Sequence, residues 1–390
     1  MPPRSWLSVN LDAVRANYSY LCQLSTTRTI TGAAVKADGY GLGMCEVSDV
    51  LYDEGCRHFF VASLEEAVRL RTAFRTHNRP EAEIIVFDGL RPSEGADYAE
   101  YGLTAMLNCP SQIDMLTSPD SATQRIMVHI DTGMSRLGLS DADAQRYCDR
   151  IAGLEGLCGV MSHLANADMP DHPFNKTQLN SFEAFCSSLQ QTRGQPVIRS
   201  LANTGGIMMG ADFHFELTRP GIGLTGLMPD DSLPAAALSP ALRWDTAILQ
   251  IRDVPEGHPV GYGSSFVTDR PMRLATLGAG YADGYPRCQT RHTPTSACVD
   301  IAGYQVPLVG RVSMDVMVAD VTEIPPAHLE AASSACLLGS HYSVSQLAID
   351  TGTIGYEILT GIGGRTIRHY DGGGDMTTYK TDPAQDRRSQ

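Results

Sequence analysis

No stretch of this 390-residue chain approaches the ~20 consecutive apolar residues that a membrane-spanning helix needs. The N-terminus, MPPRSWLSVNLDAVRANYSYL, has no apolar run followed by a small-residue cleavage site, so it reads as mature protein rather than a leader. Basic residues are scarce: 30 Lys and Arg face 44 Asp and Glu, for a formal net charge of −14. A chain this acidic is repelled by phosphate backbones and anionic lipid, which argues against nucleic-acid or membrane partners. A small anion could still be held locally by backbone N–H groups and a few placed arginines. The ten cysteines, at positions 22, 45, 56, 109, 148, 158, 186, 288, 298 and 336, form no CxxC pair and have no His-rich partner spacing. They read as free thiols of a cytoplasmic protein, without disulfides and with no metal site. A dinucleotide fingerprint is missing too, because Gly39-x-Gly41-x-Gly43 has the wrong spacing for GxGxxG.

What remains is a globular composition, 43% hydrophobic and 19% charged, long enough for two domains. Its 37 glycines and 22 prolines are scattered as turns rather than gathered into low-complexity tracts. After a short opening strand (5–9) and a helix from about 10 to 24, eight strand candidates follow at 29–35, 59–62, 84–87, 103–107, 126–130, 158–162, 197–201 and 215–218. Helical patterns such as 64–74, 141–152 and 177–191 lie between most of them. Eight βα units with right-handed crossovers predict a parallel sheet able to close as an α/β (β/α)8 TIM-like barrel; an open doubly wound sheet is the alternative. Beyond Leu238 the segments 244–251, 273–277, 297–301, 306–309 and 316–321 are short, strand-like and separated by Gly/Pro turns. The expected organisation is a barrel over 1–238, a mainly β C-terminal domain over 239–370, and a flexible polar tail over 371–390.

The chemistry-bearing residues fall at strand exits. Lys36 follows the first strand, Arg136 the fifth, His163 the sixth, Asn203 and Thr204 the seventh, and Arg219 the eighth. In a βα barrel these positions share the C-terminal rim, where active sites are built, and glycine-rich stretches after strands 7 and 8 commonly hold phosphate. Taken singly, each has a bland reading: a solvated lysine, a structural ion-pair arginine, a satisfied rim histidine. The phrase AAVKADGYGLG sharpens one of them, because a lysine between a buried strand and a Gly-rich turn would be desolvated and made nucleophilic.

That phrase resembles the pyridoxal 5′-phosphate lysine motif of the alanine racemase family. HIDTGMSRLG, SHLANAD, LANTGG, RPGIGLTG, GYGSSF, GAGYADGYPR and GRVSMD are similar to that family's other blocks, in the family's order. The resemblance implies a cofactor-binding barrel followed by a β domain, and an isomerase interconverting L- and D-alanine. Lys36 would carry the cofactor as a Schiff base and act as base on one face of Cα. Tyr262, delivered from the neighbouring subunit of a homodimer, would act on the other. Arg219 would face the pyridine nitrogen, with His163 behind it. Tyr40, Thr204, Gly221 and Ile222 match phosphate-contacting positions, and Asn203 would shape their loop. Arg136 and the Met314 backbone N–H would hold the substrate carboxylate. Tyr281, Arg287, Arg311 and Asp168 resemble residues lining a narrow entry, which favours a small amino acid.

Three positions depart from the family's common pattern. His129 stands where many relatives carry a lysine whose carbamate orients the carboxylate-binding arginine. A bound anion, another side chain or His129 itself could serve instead, or His129 could simply pack. Gly364 stands where a phosphate-binding tyrosine is usual, with Tyr356 and Tyr370 as candidate replacements. Ser313 replaces a frequent cysteine beside Met314. A widened pocket would admit serine, so a racemase of another small amino acid is the alternative, ahead of a cofactor-holding regulatory protein without turnover. A barrel-type decarboxylase would be expected to place an acid near the ring nitrogen, which Arg219 argues against.

Overall fold

The computed structural model describes residues 3–116, 125–229, 238–287 and 297–373. Strand β1 (Ser5–Asn10) passes directly into helix α1 (Leu11–Leu24), where Asn10 Oδ1 accepts the Ala13 N–H at 2.9 Å and so caps the first turn. Next come β2 (Ile30–Thr31) and β3 (Ala33–Ala34), then the one-turn α2 (Lys36–Tyr40) and α3 (Met44–Asp53). The alternation continues through β4 (His58–Val61), α4 (Leu64–Thr76), β5 (Glu83–Val86), α5 (Gly95–Tyr101), β6 (Thr104–Leu107), α6 (Pro110–Met115), β7 (Ile126–His129), α7 (Asp141–Ala152), β8 (Leu157–Met161), α8 (Phe174–Arg193), β9 (Ile198–Ser200), α9 (Thr204–Met208) and β10 (Leu217–Thr218).

Strands β3 to β9 form one seven-stranded sheet in chain order, every pair parallel. The sheet curls until its edges meet. Ile30, Gly32 and Ala34 donate their N–H groups to the carbonyls of Glu216, Thr218 and Pro220 at 2.8, 2.9 and 2.8 Å. At the other edge, Arg219 N–H reaches Ala202 O at 2.9 Å. The segment predicted as a single strand over 29–35 is therefore divided for a physical reason. Its first half pairs with β10 to close the barrel, and its second half pairs with β4 to begin it. The barrel and mainly-strand architecture read from the sequence holds.

The barrel is filled rather than hollow. Ala34, Phe60, Ile85, Met106, Met127, Met161 and Leu217, one from each of seven strands, form its central cluster. Each large side chain there contributes about 1.5–3 kcal/mol by leaving water. Three are methionines, whose flexible thioethers fit the irregular space between aromatic and branched neighbours.

The second compact unit gathers residues 1–13 with 240–390, and the barrel unit is Val14–Ser239. The opening strand is thus placed outside the barrel. Its Leu7 lies opposite Trp244 of β11 (Leu242–Val254), antiparallel on one side, while opposite Arg368 it pairs in parallel on the other. Both backbone edges of β1 are satisfied this way, and Leu7 and Val9 become fully buried. After β11 come the short hairpin β12 (Pro259–Val260) and β13 (Phe266–Val267), then β14 (Met272–Leu277), β15 (Cys298–Ile301), β16 (Tyr304–Pro307), β17 (Met317–Asp320), α10 (Pro326–Ala331), β18 (Ser334–Leu338), α11 (Val344–Thr351), α12 (Gly355–Gly361) and β19 (Ile367–Asp371). The sheet runs β16-β15-β18-β11-β1-β19, with β14 joining β11 to β17. Trp244 anchors this core, its Nε1 donating to Ser5 Oγ at 2.8 Å. The residues expected as a polar tail begin within β19 and beyond 373 lie outside the described residues, as does Cys288.

Asn17 ties α1 to the barrel. Buried, it donates to Leu224 O (3.2 Å) and Ser239 O (2.8 Å) and accepts from Ser239 N–H (2.8 Å). Asn17→Ala orphans three backbone groups, and the expected loss is about 1–3 kcal/mol of unfolding free energy in urea titrations. A change under about 0.5 kcal/mol would show that these groups are rewetted at no cost.

Candidate active site

The exit of the first barrel strand turns sharply. Ala37, Asp38, Gly39 and Tyr40 have φ of 52°, 54°, 65° and 57°, a left-handed run that bends the chain back immediately after Lys36. Acidic side chains pin this turn. Glu66 accepts the Ala37 and Ala62 N–H groups (2.7 and 2.8 Å), and Asp38 accepts from Met44 N–H at 3.1 Å and pairs with Arg69. Lys36 is half-buried, with Nζ 5.7 Å from the Phe87 ring centre. Burial first, then the nearby Arg136 charge, lower its amine pKa, while Glu66 and Asp88 partly offset this.

Arg219, at the eighth strand's exit, is 3% exposed. All its recorded acceptors are neutral: Ser200 Oγ, Ser162 O at 2.8 Å, Leu201 O at 3.2 Å and His163 Nδ1 at 3.4 Å. Burial pushes its pKa down to about 9, which still leaves it charged at neutral pH. His163 is driven well below its ordinary pKa by burial and by the charges of Arg219, Arg136 and Lys36. Because a guanidinium only donates, Nδ1 of His163 accepts and the ring's proton sits on Nε2. Gln178 braces the strand exits from behind, donating to His163 O (3.0 Å) and Thr132 Oγ1 (3.1 Å) and accepting from Ala165 N–H (2.8 Å).

Glycine-rich segments follow strands seven and eight. Asn203 Oδ1 caps α9 by accepting the Gly206 N–H at 3.0 Å. Thr204 Oγ1 accepts from the Gly221 and Gly223 N–H groups at 3.1 and 3.2 Å, tying the two loops together. The Gly221 N–H is therefore engaged within the protein. What Gly221 supplies is room: a Cβ there would fall 2.2 Å from Tyr40 Oη, so only glycine lets that phenol approach. Ile222, buried, opens the following 3-10 turn.

Arg136 is exposed on a loop that Asp131 organises, its carboxylate accepting the N–H groups of Gly133 (2.9 Å), Met134 (2.8 Å) and Ser135 (3.0 Å). His129, 8% exposed at the end of β7, places Nδ1 2.9 Å from Asn108 Oδ1. Burial, then Arg219, with Arg136 adding, push its pKa down to about 4 against the pull of Asp131. Asp168 is exposed on the loop after β8.

The remaining expected residues belong to the second unit. Tyr262 stands 70% exposed in a 3-10 turn, with the Arg311 guanidinium beside it, 3.2 Å from where a Cβ on Gly263 would lie. The turns that carry Tyr281 and Met314 are joined by backbone bonds, Tyr281 N–H to Ser313 O (3.1 Å) and Ala282 N–H to Met314 O (3.0 Å). Buried Asp283 holds that turn by accepting the Gly280 N–H (2.9 Å) and pairing with Arg365 (3.3 Å). Arg287 is exposed, and Gly364 lies in an exposed turn between α12 and β19, with Tyr356 on α12 and Tyr370 on β19.

A parallel barrel with a desolvated amine, a buried guanidinium and two neutral imidazoles at its strand exits defines a TIM-barrel enzyme. Comparison with known proteins is specific. The alanine racemase N-terminal domain matches residues 9–229, and the alanine racemase C-terminal domain matches 241–370. The alanine racemase of Cereibacter sphaeroides is 41% identical over 370 residues, 93% of this chain and 97% of its own. That of Rickettsia africae is 37% identical over 372 residues, 94% and 99% of the two chains. The crystal structure of alanine racemase from Bartonella henselae with covalently bound pyridoxal phosphate has a TM-score of 0.85 and 34% identity, covering 95% of this chain and all of that one. The chain belongs to the alanine racemase family and is an isomerase.

Sequence reasoning missed Asn108, Ser162, Ser200 and Gln178, polar residues that strand and helix patterns absorb as core. It also left unused a count that singles out Lys36: the chain has three lysines, the others being Lys176 and Lys380.

The neutral buried histidines set an acid limit. A depressed folded-state pKa contributes stability above the unfolded value of 6.5 that is lost as pH falls toward about 4. For His129 this amounts to at most about 3 kcal/mol. Unfolding titrations of wild type and His129→Gln from neutral to acid pH are expected to converge over that window; parallel curves would show that His129 does not titrate as a buried neutral base.

Proposed function

We propose that this protein interconverts L- and D-alanine in the cytoplasm, as a homodimer with pyridoxal 5′-phosphate held covalently through Lys36 Nζ. The observation that carries the reading is the pairing of a desolvated Lys36 amine with Arg219, a buried cation whose hydrogen-bond partners are all neutral. Such a cation is stabilised by an incoming anion. The donor set fits a phosphorylated pyridine aldehyde: an amine for the aldehyde, a guanidinium for the ring nitrogen, and helix-opening N–H groups at Thr204 and Ile222 that lack helical acceptors. The Thr204 hydroxyl keeps its proton to donate, and Tyr40 lies alongside at Gly221.

When bound, the cofactor supplies an electron sink for the carbanion at Cα. The chain's own residues supply positions and protons. Lys36 removes or returns the Cα proton on one face. Tyr262 of the partner subunit does so on the other, and its exposure on its own unit leaves it free to be offered in that way. Arg136 and the Met314 N–H hold the substrate carboxylate. Arg219 stays protonated and so disfavours a protonated ring nitrogen, which weakens the sink and favours return of the proton to Cα over competing reactions. His163, neutral behind Arg219, leaves that cation undiminished. Tyr281, Arg287, Arg311 and Asp168 narrow the entry. The barrel over 14–239 and the β domain, which also takes the opening strand, serve as the functional halves, and the free cysteines suit a reducing compartment.

Lys36→Ala is expected to abolish visible-range cofactor absorbance and to lower racemisation more than about a thousandfold. Retention of both would remove Lys36 from its role. Tyr262→Phe is expected to keep the absorbance while lowering the rate at least about a hundredfold; an unchanged rate would dismiss the two-base reading. On a panel of L-amino acids with chiral product analysis, alanine is expected to give the highest kcat/KM, and a serine optimum would overturn the substrate assignment.

A further inference from the structure

Three turns of the second unit meet around one buried carboxylate. The turn after β14 carries Tyr281, the turn before β17 carries Met314, and the turn before β19 carries Arg365. They approach too closely for side chains between them. A Cβ on Gly280 would fall 2.3 Å from Ser313 O, and one on Gly284 would fall 1.9 Å from Gly361 O. Backbone bonds complete the contact, Ala282 N–H to Met314 O (3.0 Å) on one side and Gly363 N–H to Asp283 O (3.0 Å) on the other.

Asp283, 2% exposed, lies at the centre. Its Oδ2 accepts the Gly280 N–H at 2.9 Å, and its Oδ1 faces Arg365 Nε at 3.3 Å. The same guanidinium donates through Nη1 to Asp315 Oδ1 at 2.8 Å. Asp315 directly follows Met314, and its backbone carbonyl also accepts from Arg4. Arg365 thus spans carboxylates on two different turns with two different nitrogens. The Asp315 end is half-exposed and weak by itself, but the buried Asp283 end fixes the guanidinium that makes it. Within the Met314 turn, Ser313 N–H closes on Val316 O at 2.9 Å, whereas the Met314 N–H has no acceptor among the described residues. The turn leaves that donor available to a ligand.

We infer that Arg365 is a positioning residue in this enzyme, clamping the turns of Tyr281 and Met314 in one arrangement so that the Met314 N–H is preset for the substrate carboxylate. This rests on the roles given to Met314 and Tyr281 above. The bond pattern calls for arginine. A planar guanidinium reaches both carboxylates at once, whereas a lysine ammonium carries the same charge on a single nitrogen.

The test is made on the cofactor-loaded enzyme by hydrogen exchange and by kinetics. Exchange at the Tyr281 and Ala282 amides, whose bonds join two of the turns, is expected to speed about tenfold in Arg365→Gln. Amides of β18, which lies inside the sheet, are expected to keep the wild-type rate. Unchanged exchange at Tyr281 and Ala282, or an equal rise in β18, overturns the clamp. These rates are read without substrate, so failure here is separable from failure of the catalytic reading. In the same variant KM for alanine is expected to rise roughly fivefold with kcat changed less than about twofold, the pattern of a lost ground-state contact. An unchanged KM overturns the proposal. Arg365→Lys is expected to match Arg365→Gln; a wild-type KM in Arg365→Lys shows that charge alone acts and overturns it as well. If Arg365→Gln does not fold, Asp315→Asn, which removes the exposed end of the same link, carries the exchange and kinetic measurements with the same outcomes.

Discussion

The barrel's upper rim depends on the short parallel ladder that closes it, in which Ile30, Gly32 and Ala34 donate to Glu216, Thr218 and Pro220. Lys36 follows the last donor by two residues, and Arg219 precedes the last acceptor by one. Closure thus sets the Lys36 amine and the buried Arg219 guanidinium on adjoining strand exits although nearly the whole barrel separates them in the chain. Glu216 reinforces the seam with its side chain, accepting from Arg199 Nε and Nη2 at 2.8 and 2.6 Å. Without the ladder both edges would be open strands.

Closure also decides the electrostatics. The chain carries a net charge of −14, yet its strand exits gather Lys36, Arg136 and Arg219, and the Arg136 charge adds to burial in lowering the Lys36 amine. The two histidines among them stay neutral because a further positive charge there would be costly. The cations at the strand exits therefore stand apart from the acidic balance of the whole chain. Serine hydroxyls and carbonyls, rather than carboxylates, hold Arg219, so its charge is retained within the site.

Much of this was legible in the sequence because strand exits in a βα barrel converge by topology, so Lys36, His163, Asn203, Thr204 and Arg219 could be grouped from their spacing alone. Asn108 could not. Its contacts are the Phe87 carbonyl and the His129 imidazole, supplied by the neighbouring strands, and nothing local distinguishes it from any polar residue ending a strand. The placement of β1 escaped for a related reason: a short alternating strand followed by a helix fits a barrel entry as well as a sheet interior, and only its ladders to β11 and β19 separate the two. Gly221 was singled out for its N–H, which the fold commits to Thr204; its lack of a side chain is what admits Tyr40.

The sequence by itself determined the βα alternation, the change of texture past residue 238 and the identity of the residues at the strand exits, since periodicity and turn chemistry are local properties. Only the tertiary structure decided which strands meet to close the barrel, which unit owns the first strand, and that Asn108 meets His129. Each of those depends on hydrogen-bond partners far apart in the chain, and no local pattern encodes a partner.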